Sequence, residues 1–141
     1  MKKIFIGILV VLCLVVIGLI IHTVINNNKE VKENLGYVDF NVTSVHLACA
    51  DAPSFAYEED EEGTTITICR GTKPTGGYDL DVKKVKYSND TLYVYVKDTN
   101  PRGVVTQALT SPTASIYVKK KAKHIVIKGN EDYKEYKKEQ N

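Results

Sequence analysis

The chain has 141 residues, room for one domain once any targeting segment is set aside. Its formal charge of +2 is carried by Lys2 and Lys3, and every acidic residue lies after Asn28, so the remainder is formally neutral. A neutral domain has no broad field to draw in DNA or RNA, which argues against nucleic acid as a partner. Tyr is abundant (9), Met occurs once and Trp is absent, a balance that favours a sheet with amphipathic aromatic faces over a Leu-rich helical core.

After Met1-Lys2-Lys3 the chain is apolar without a break from Ile4 to Ile21, then His22 and Thr23 lead to Val24 and Ile25. A helix over residues 4–25 is about 33 Å long, enough to cross a bilayer. A cleaved signal peptide has an apolar stretch of about 7–15 residues and a small-x-small cleavage site, and neither fits here. A lipoprotein signal needs a small residue before its Cys, whereas Leu12 precedes Cys13. The run therefore predicts an uncleaved signal-anchor over residues 1–28, single-pass in a cell membrane. Lys2 and Lys3 predict the N-terminus inside and the C-terminal domain outside. Residues 29–37 read as a polar spacer.

Cys13 falls in the span, which leaves Cys49 and Cys69 in a compartment that permits disulfides. They form either a bridge, closing a loop of about twenty residues and worth roughly 3 kcal/mol, or two thiols that fill small apolar sites. His46 and His124 are far apart, and no Cys-x-x-Cys or His-x-x-x-His pair occurs, so no metal site is expected.

Residues 38–45 alternate partly and predict a first strand, with Phe40, Val42 and Val45 as core candidates. Residues 47–57 are less regular and predict a strand ending at Pro53. Glu58-Glu59-Asp60-Glu61-Glu62-Gly63 reads as a solvated loop, since consecutive acids do not present the spaced ligands of a calcium loop. Thr64–Cys69 is the clearest strand, β-branched with a period of two. Residues 78–82 alternate again and continue through Val85 and Tyr87 past an irregularity at Lys83-Lys84. Asn89-Asp90 marks a tight turn. Residues 91–96 form a second strong strand, with Leu92, Val94 and Val96 inward. Asn100-Pro101-Arg102-Gly103 is another turn, and residues 104–109 read as a strand or a short extended element.

Residues 114–118 and 124–127 complete the strands, separated by Lys119-Lys120-Lys121-Ala122-Lys123. That block suits anionic lipid or wall polymer, or a charged edge that blocks strand-to-strand aggregation. Residues 130–141 have no core-forming period and read as a charged, disordered tail. Seven or eight short strands in about ninety residues predict an all-β domain over 38–129, a compact antiparallel sandwich or barrel.

Cys49 with His46 or His124 could form a thiol catalyst, but two Cys residues of similar context, the lack of a Gly-rich nucleophile turn and the lack of a phosphate loop argue for a binding module without enzymatic activity or cofactor. The segment that stands out is Arg70-Gly71-Thr72-Lys73-Pro74-Thr75-Gly76-Gly77-Tyr78. Adjacent glycines open φ values closed to other residues, and Pro74 stiffens the approach. It is either a loop whose backbone meets a partner, with Tyr78 as anchor, or a hairpin loop that needs those angles.

The Arg70–Tyr78 run, followed by Leu92-Tyr93-Val94-Tyr95-Val96, Pro101, Val105-Thr106-Gln107-Ala108 and Ser111-Pro112, resembles the C-terminal domain family of PrcB over roughly residues 45–127. Where the family's lipoprotein has a lipidated Cys this chain has an apolar helix, and Thr113 stands where an aromatic residue is usual. The resemblance implies a protease-complex accessory or stability subunit. Arg70, Thr72, Lys73, Pro74, Thr75, Gly76, Gly77 and Tyr78, with Thr106 and Gln107 if they lie alongside, would then contact a protein partner such as a protease. Thr75-Gly76-Gly77-Tyr78 is also similar to the loop of chagasin-type protease inhibitors, which implies inhibition as an alternative. A structural envelope module acting through Lys119 to Lys123 is a further one.

Overall fold

The structure, a computed structural model, describes residues 1–34 and 36–137. It falls into two units, residues 1–35 and 36–141.

The first unit is one α-helix, α1 (Lys2–Asn34). Its stretch Lys3–Asn27 contains an 18-residue window with a mean hydropathy of 3.5 and is long and apolar enough to span a membrane or serve as a signal sequence. The apolar residues surround the helix rather than forming a stripe, as in a span. The helix passes through the segment read as a spacer and stops at Asn34, because Lys29-Glu30-Val31-Lys32-Glu33 is composed mostly of good helix formers. Gly36 then takes a left-handed φ of 71°.

The second unit is mainly β. Its strands are β1 (Tyr37–Val38), β2 (Phe40–Val42), β3 (Ser54–Glu59), β4 (Thr64–Cys69), β5 (Asp79–Ser88), β6 (Thr91–Thr99), β7 (Thr113–Val118), β8 (His124–Lys128) and β9 (Lys134–Glu135). They form two sheets, ordered β1-β5-β6-β8 and β2-β7-β4-β3-β9, and neither closes into a barrel. Both sheets are mixed rather than purely antiparallel: β8 runs parallel to β6, and β9 runs parallel to β3. The chain reaches β8 from β6 only after laying β7 in the other sheet, and that crossover sets the parallel direction.

One core draws on both sheets. Ile66, Ile68 and Ile116 come from the five-stranded sheet, and Val85, Leu92 and Val94 from the four-stranded one. Strict alternation in β4 and β6 places these side chains on one face each. The Asn89-Asp90 turn has φ of 48° and 56°, the left-handed pair of a two-residue hairpin. The β5–β6 register shifts between Val82 and Lys84, at the irregularity seen in the sequence.

Several expectations are corrected. Val42 is 81% exposed and Val45 is also exposed, because the first strand breaks after Val38 and β2 lies at a sheet edge. β3 starts at Ser54, after Pro53 rather than before it, as fits a residue that cannot donate to the ladder. Residues 104–109 form no strand. Residues 130–137 are not a loose tail: β9 pairs with Ser54 and Phe55, and Tyr133 is buried in the core cluster. The rest of that predicted tail, residues 138–141, lies outside the described residues.

Candidate contact loops

β4 delivers Cys69 and then Arg70 to one end of the domain. Cys69 is joined to Cys49 with a Cα–Cα distance of 6.1 Å, which fastens the irregular segment before β3 to the core. An open cavity of about 450 Å³ adjoins this bridge, lined among others by His46, Asp51 and Ser111. His46 Nδ1 hydrogen-bonds Ser115 Oγ (3.0 Å), which in turn bonds Thr67 Oγ1 (2.8 Å). With their sulfurs bonded to each other, Cys49 and Cys69 offer no thiolate here. Among the described residues, no three His, Cys, Asp or Glu side chains are placed to hold a metal ion.

Arg70 is not a contact residue. It is 4% exposed, and its guanidinium points inward. Nε donates to Glu131 Oε1 (2.8 Å), Nη1 to the Thr99 carbonyl (2.6 Å), and Nη2 to Asn100 Oδ1 (2.5 Å). Asp98, with a side chain 0% exposed, stands 3.5 Å from Nε. It also accepts from the Asn130 N–H (2.7 Å) and from the Tyr133 hydroxyl. Burial, and then the bond to Asp98, push the Tyr133 hydroxyl far above its ordinary pKa. A charge this deep needs such partners, since an uncompensated buried ion costs several kcal/mol. Lys73 is likewise largely drawn in, with Nζ on both carboxylate oxygens of Glu131 at 2.9 and 3.1 Å. The Tyr78 ring, half-buried, receives Arg70 at 5.3 Å and Lys73 at 5.9 Å from its centre.

On this anchored base, two loops lie side by side. Lys73 and Thr110 exchange backbone hydrogen bonds of 2.7 and 3.0 Å. The Thr110 hydroxyl donates to the Thr75 carbonyl (2.7 Å), and the Gly76 N–H donates to the Thr106 carbonyl (2.8 Å). Gly77 has φ of 80°, and a Cβ there would sit 2.8 Å from Pro101 and 2.9 Å from Val105. A left-handed backbone and a close approach thus both require glycine. Gly76 has only ordinary room, its nearest neighbour being Thr106 at 3.4 Å.

Of the residues singled out from the sequence, Thr72, Pro74, Gly77, Thr106 and Gln107 are exposed, while Thr75, Gly76 and Tyr78 are half-buried. The structure brings Thr106 and Gln107 beside the glycine loop. It also adds two residues that the strand reading of 104–109 concealed: Val104 and Leu109 are large apolar side chains standing in solvent.

Elsewhere, Lys119 to Lys123 is not an isolated cationic patch. Lys123 pairs with Asp90 at 3.1 Å, and Lys120 stands 5.0 Å from the Tyr87 ring centre. The neighbouring acidic turn is ordered: Asp60 Oδ1 accepts from the N–H groups of Glu62 (2.8 Å) and Gly63 (2.7 Å) and from the Tyr117 hydroxyl (3.1 Å). The two N–H bonds hold the Asp60 carboxyl below its ordinary pKa, with Lys121 a smaller contributor.

No curated protein and no solved structure matches the chain. Residues 64–119 match the family model described as PrcB C-terminal. That stretch runs from the start of β4 to just past β7 and holds both loops, and the match supports the resemblance of this segment to PrcB C-terminal domains.

Proposed function

We propose that the chain is a membrane-tethered accessory module, without catalytic activity of its own, that holds a protease or its precursor outside the cell membrane. Residues 72–78 and 104–110 form the contact surface. The observation that carries this reading is the pairing of the two loops, Gly76 to Thr106 and Lys73 to Thr110, within the family-matched segment. Ordered loops lose little entropy on binding, and Val104 and Leu109 offer apolar area that the domain does not bury itself. In this reading the two sheets are the layers of a sandwich, with the loops at one end. α1 is the tether, with Lys2 and Lys3 on the cytoplasmic side.

The test is a crosslinked pull-down of the tagged full-length chain from its own membranes, beside a V104D/L109D variant. Both side chains are exposed, so the variant should keep its fold, checked by far-UV circular dichroism. A protease recovered with the normal chain and lost with the variant supports the reading. Equal recovery removes the loops as the site, and recovery of no protease removes the accessory role. An inhibitor would in addition slow the recovered protease, whereas an assembly factor would leave its turnover unchanged or raise it.

A further inference from the structure

The four-stranded sheet carries a second surface on its outer face, separate from the loops. β5 and β6 set Lys86 opposite Tyr93 and Lys84 opposite Tyr95. β1 adds Tyr37 beside Lys86, and β8 adds Lys128 beside Tyr95. Residues in register project to the same side of a sheet, so these six side chains form two adjacent rows. The alternate positions Val85, Val94 and Ile127 fill the core, which leaves the six on the solvent side.

The rows are partly fixed. Lys84 Nζ lies 5.5 Å from the centre of the Tyr37 ring and 4.7 Å from that of Tyr95, so two aromatic faces hold its ammonium over the sheet. Among the described residues, Lys84, Lys86 and Lys128 enter no ion pair. Of the carboxylates on this sheet, Asp81 pairs with Lys83, Asp90 with Lys123, Asp98 is buried, and Asp79 Oδ1 accepts from the Leu80 N–H, while the acidic run 58–62 belongs to the other sheet. A formally neutral domain thus has one face with unmatched positive charge and three tyrosines.

We propose that this face rests on the headgroups of an anionic phospholipid surface. Lysine ammoniums are drawn to anionic headgroups, and tyrosine, with an apolar ring and a polar tip, is a residue of the membrane–water interface. An anionic polymer or an acidic protein segment would satisfy the same charge. Chain length favours the lipid, an argument that rests on reading α1 as a membrane span. Only nine residues lie between Asn27, the end of the apolar stretch, and Tyr37 at the start of β1, which is the edge strand of this sheet. Even fully extended, that connection reaches at most about 35 Å. The face is therefore kept at a high effective concentration beside headgroups, where weak individual contacts suffice.

The core is built entirely from residues after Gly36, so the domain from Gly36 onward serves as a soluble probe. Its co-sedimentation with vesicles of mixed phosphatidylglycerol and phosphatidylcholine is compared with that on pure phosphatidylcholine. Binding is expected on the anionic vesicles only, and to weaken with salt. At about fivefold per lysine, a K84Q/K86Q/K128Q variant should bind on the order of a hundredfold more weakly. A K119Q/K121Q/K123Q control should retain most of the binding. Absence of binding, equal binding to neutral vesicles, or loss in the control but not in the face variant would each overturn the proposal. Displacement from vesicles by a soluble poly(glycerol phosphate) at lower charge concentration would assign the face to a polymer instead. Carbonate extraction of the full chain reports on the span independently, and the V104D/L109D pull-down on the loops, so the three readings fail separately.

Discussion

Arg70 Nε donates to Glu131 Oε1 over 2.8 Å and across 61 positions of sequence. Through that bond the segment after β8 is tied to the base of the 72–78 loop, because Glu131 also takes Lys73. The neighbouring Tyr133 closes the network from the core side on Asp98. E131Q, which removes the charge and keeps the shape, should lower stability by about 1–3 kcal/mol in urea unfolding. Y133F should lower it similarly, since Asp98 loses a donor while ring burial is kept. An unchanged midpoint in both variants would show that the network does not hold the loop base.

The Cys49–Cys69 bridge should contribute about 3 kcal/mol, as expected for a closed loop of this size. A C49A/C69A variant should unfold at correspondingly lower denaturant and keep its far-UV spectrum, because the β4 pairings with β3 and β7 do not need the sulfurs. A free-thiol titration of the untreated domain should find none outside α1.

The adjacent glycines should part company. G77A places a Cβ against Pro101 and Val105 on a left-handed backbone, and should cost about 1–3 kcal/mol. G76A meets only Thr106 at van der Waals distance and should cost under about 1 kcal/mol. Thermal melts of the two single variants decide this, and equal losses would contradict the geometry.

Acid should act on the turn before β4. The folded pKa of Asp60 is lowered beneath the ordinary 3.8 by the Glu62 and Gly63 N–H groups. The charged form therefore stabilises the fold above that value, and its contribution is lost as pH falls through the lowered one. D60N should melt below the wild-type domain at neutral pH, and the gap should close as the solution is taken below pH 3.8. A gap independent of pH would assign the effect to shape rather than charge.

Much of the β-domain could be read from local pattern. Thr64–Cys69 alternates in sequence and forms a strand that is buried at all positions but Thr65, Asn89-Asp90 supplies the two left-handed residues of its hairpin, and the irregularity at Lys83-Lys84 is a shift in register. The likeness to PrcB C-terminal domains also rested on contiguous motifs, and the family match falls inside the span over which they were read. What escaped was non-local. Tyr133 sits in a run of charges with no period, and its burial follows from its place in the core cluster and from Asp98, 35 positions earlier, which accepts its hydroxyl. Arg70 heads the loop in sequence, yet it faces inward because Asp98 and Glu131, both distant, converge on it. Parallel pairing of β8 and β9 leaves no trace in either strand's composition. Val104 and Leu109 have strand-like neighbours, and only the lack of a pairing partner puts them in solvent.

The closing contact between Arg70 and Glu131 also sets an order of events. A chain that emerges with its N-terminus first lays down the five long strands β3 to β7 while Asp98 still lacks the Tyr133 hydroxyl and Arg70 lacks one of its carboxylates. Such an intermediate keeps an exposed sheet edge at β3 and an under-compensated charge, the conditions under which backbone stays open to cleavage. For a domain read as working beside a protease, resistance to that protease would then arrive in a single late step, when residues 131–135 dock and the vulnerable interval ends.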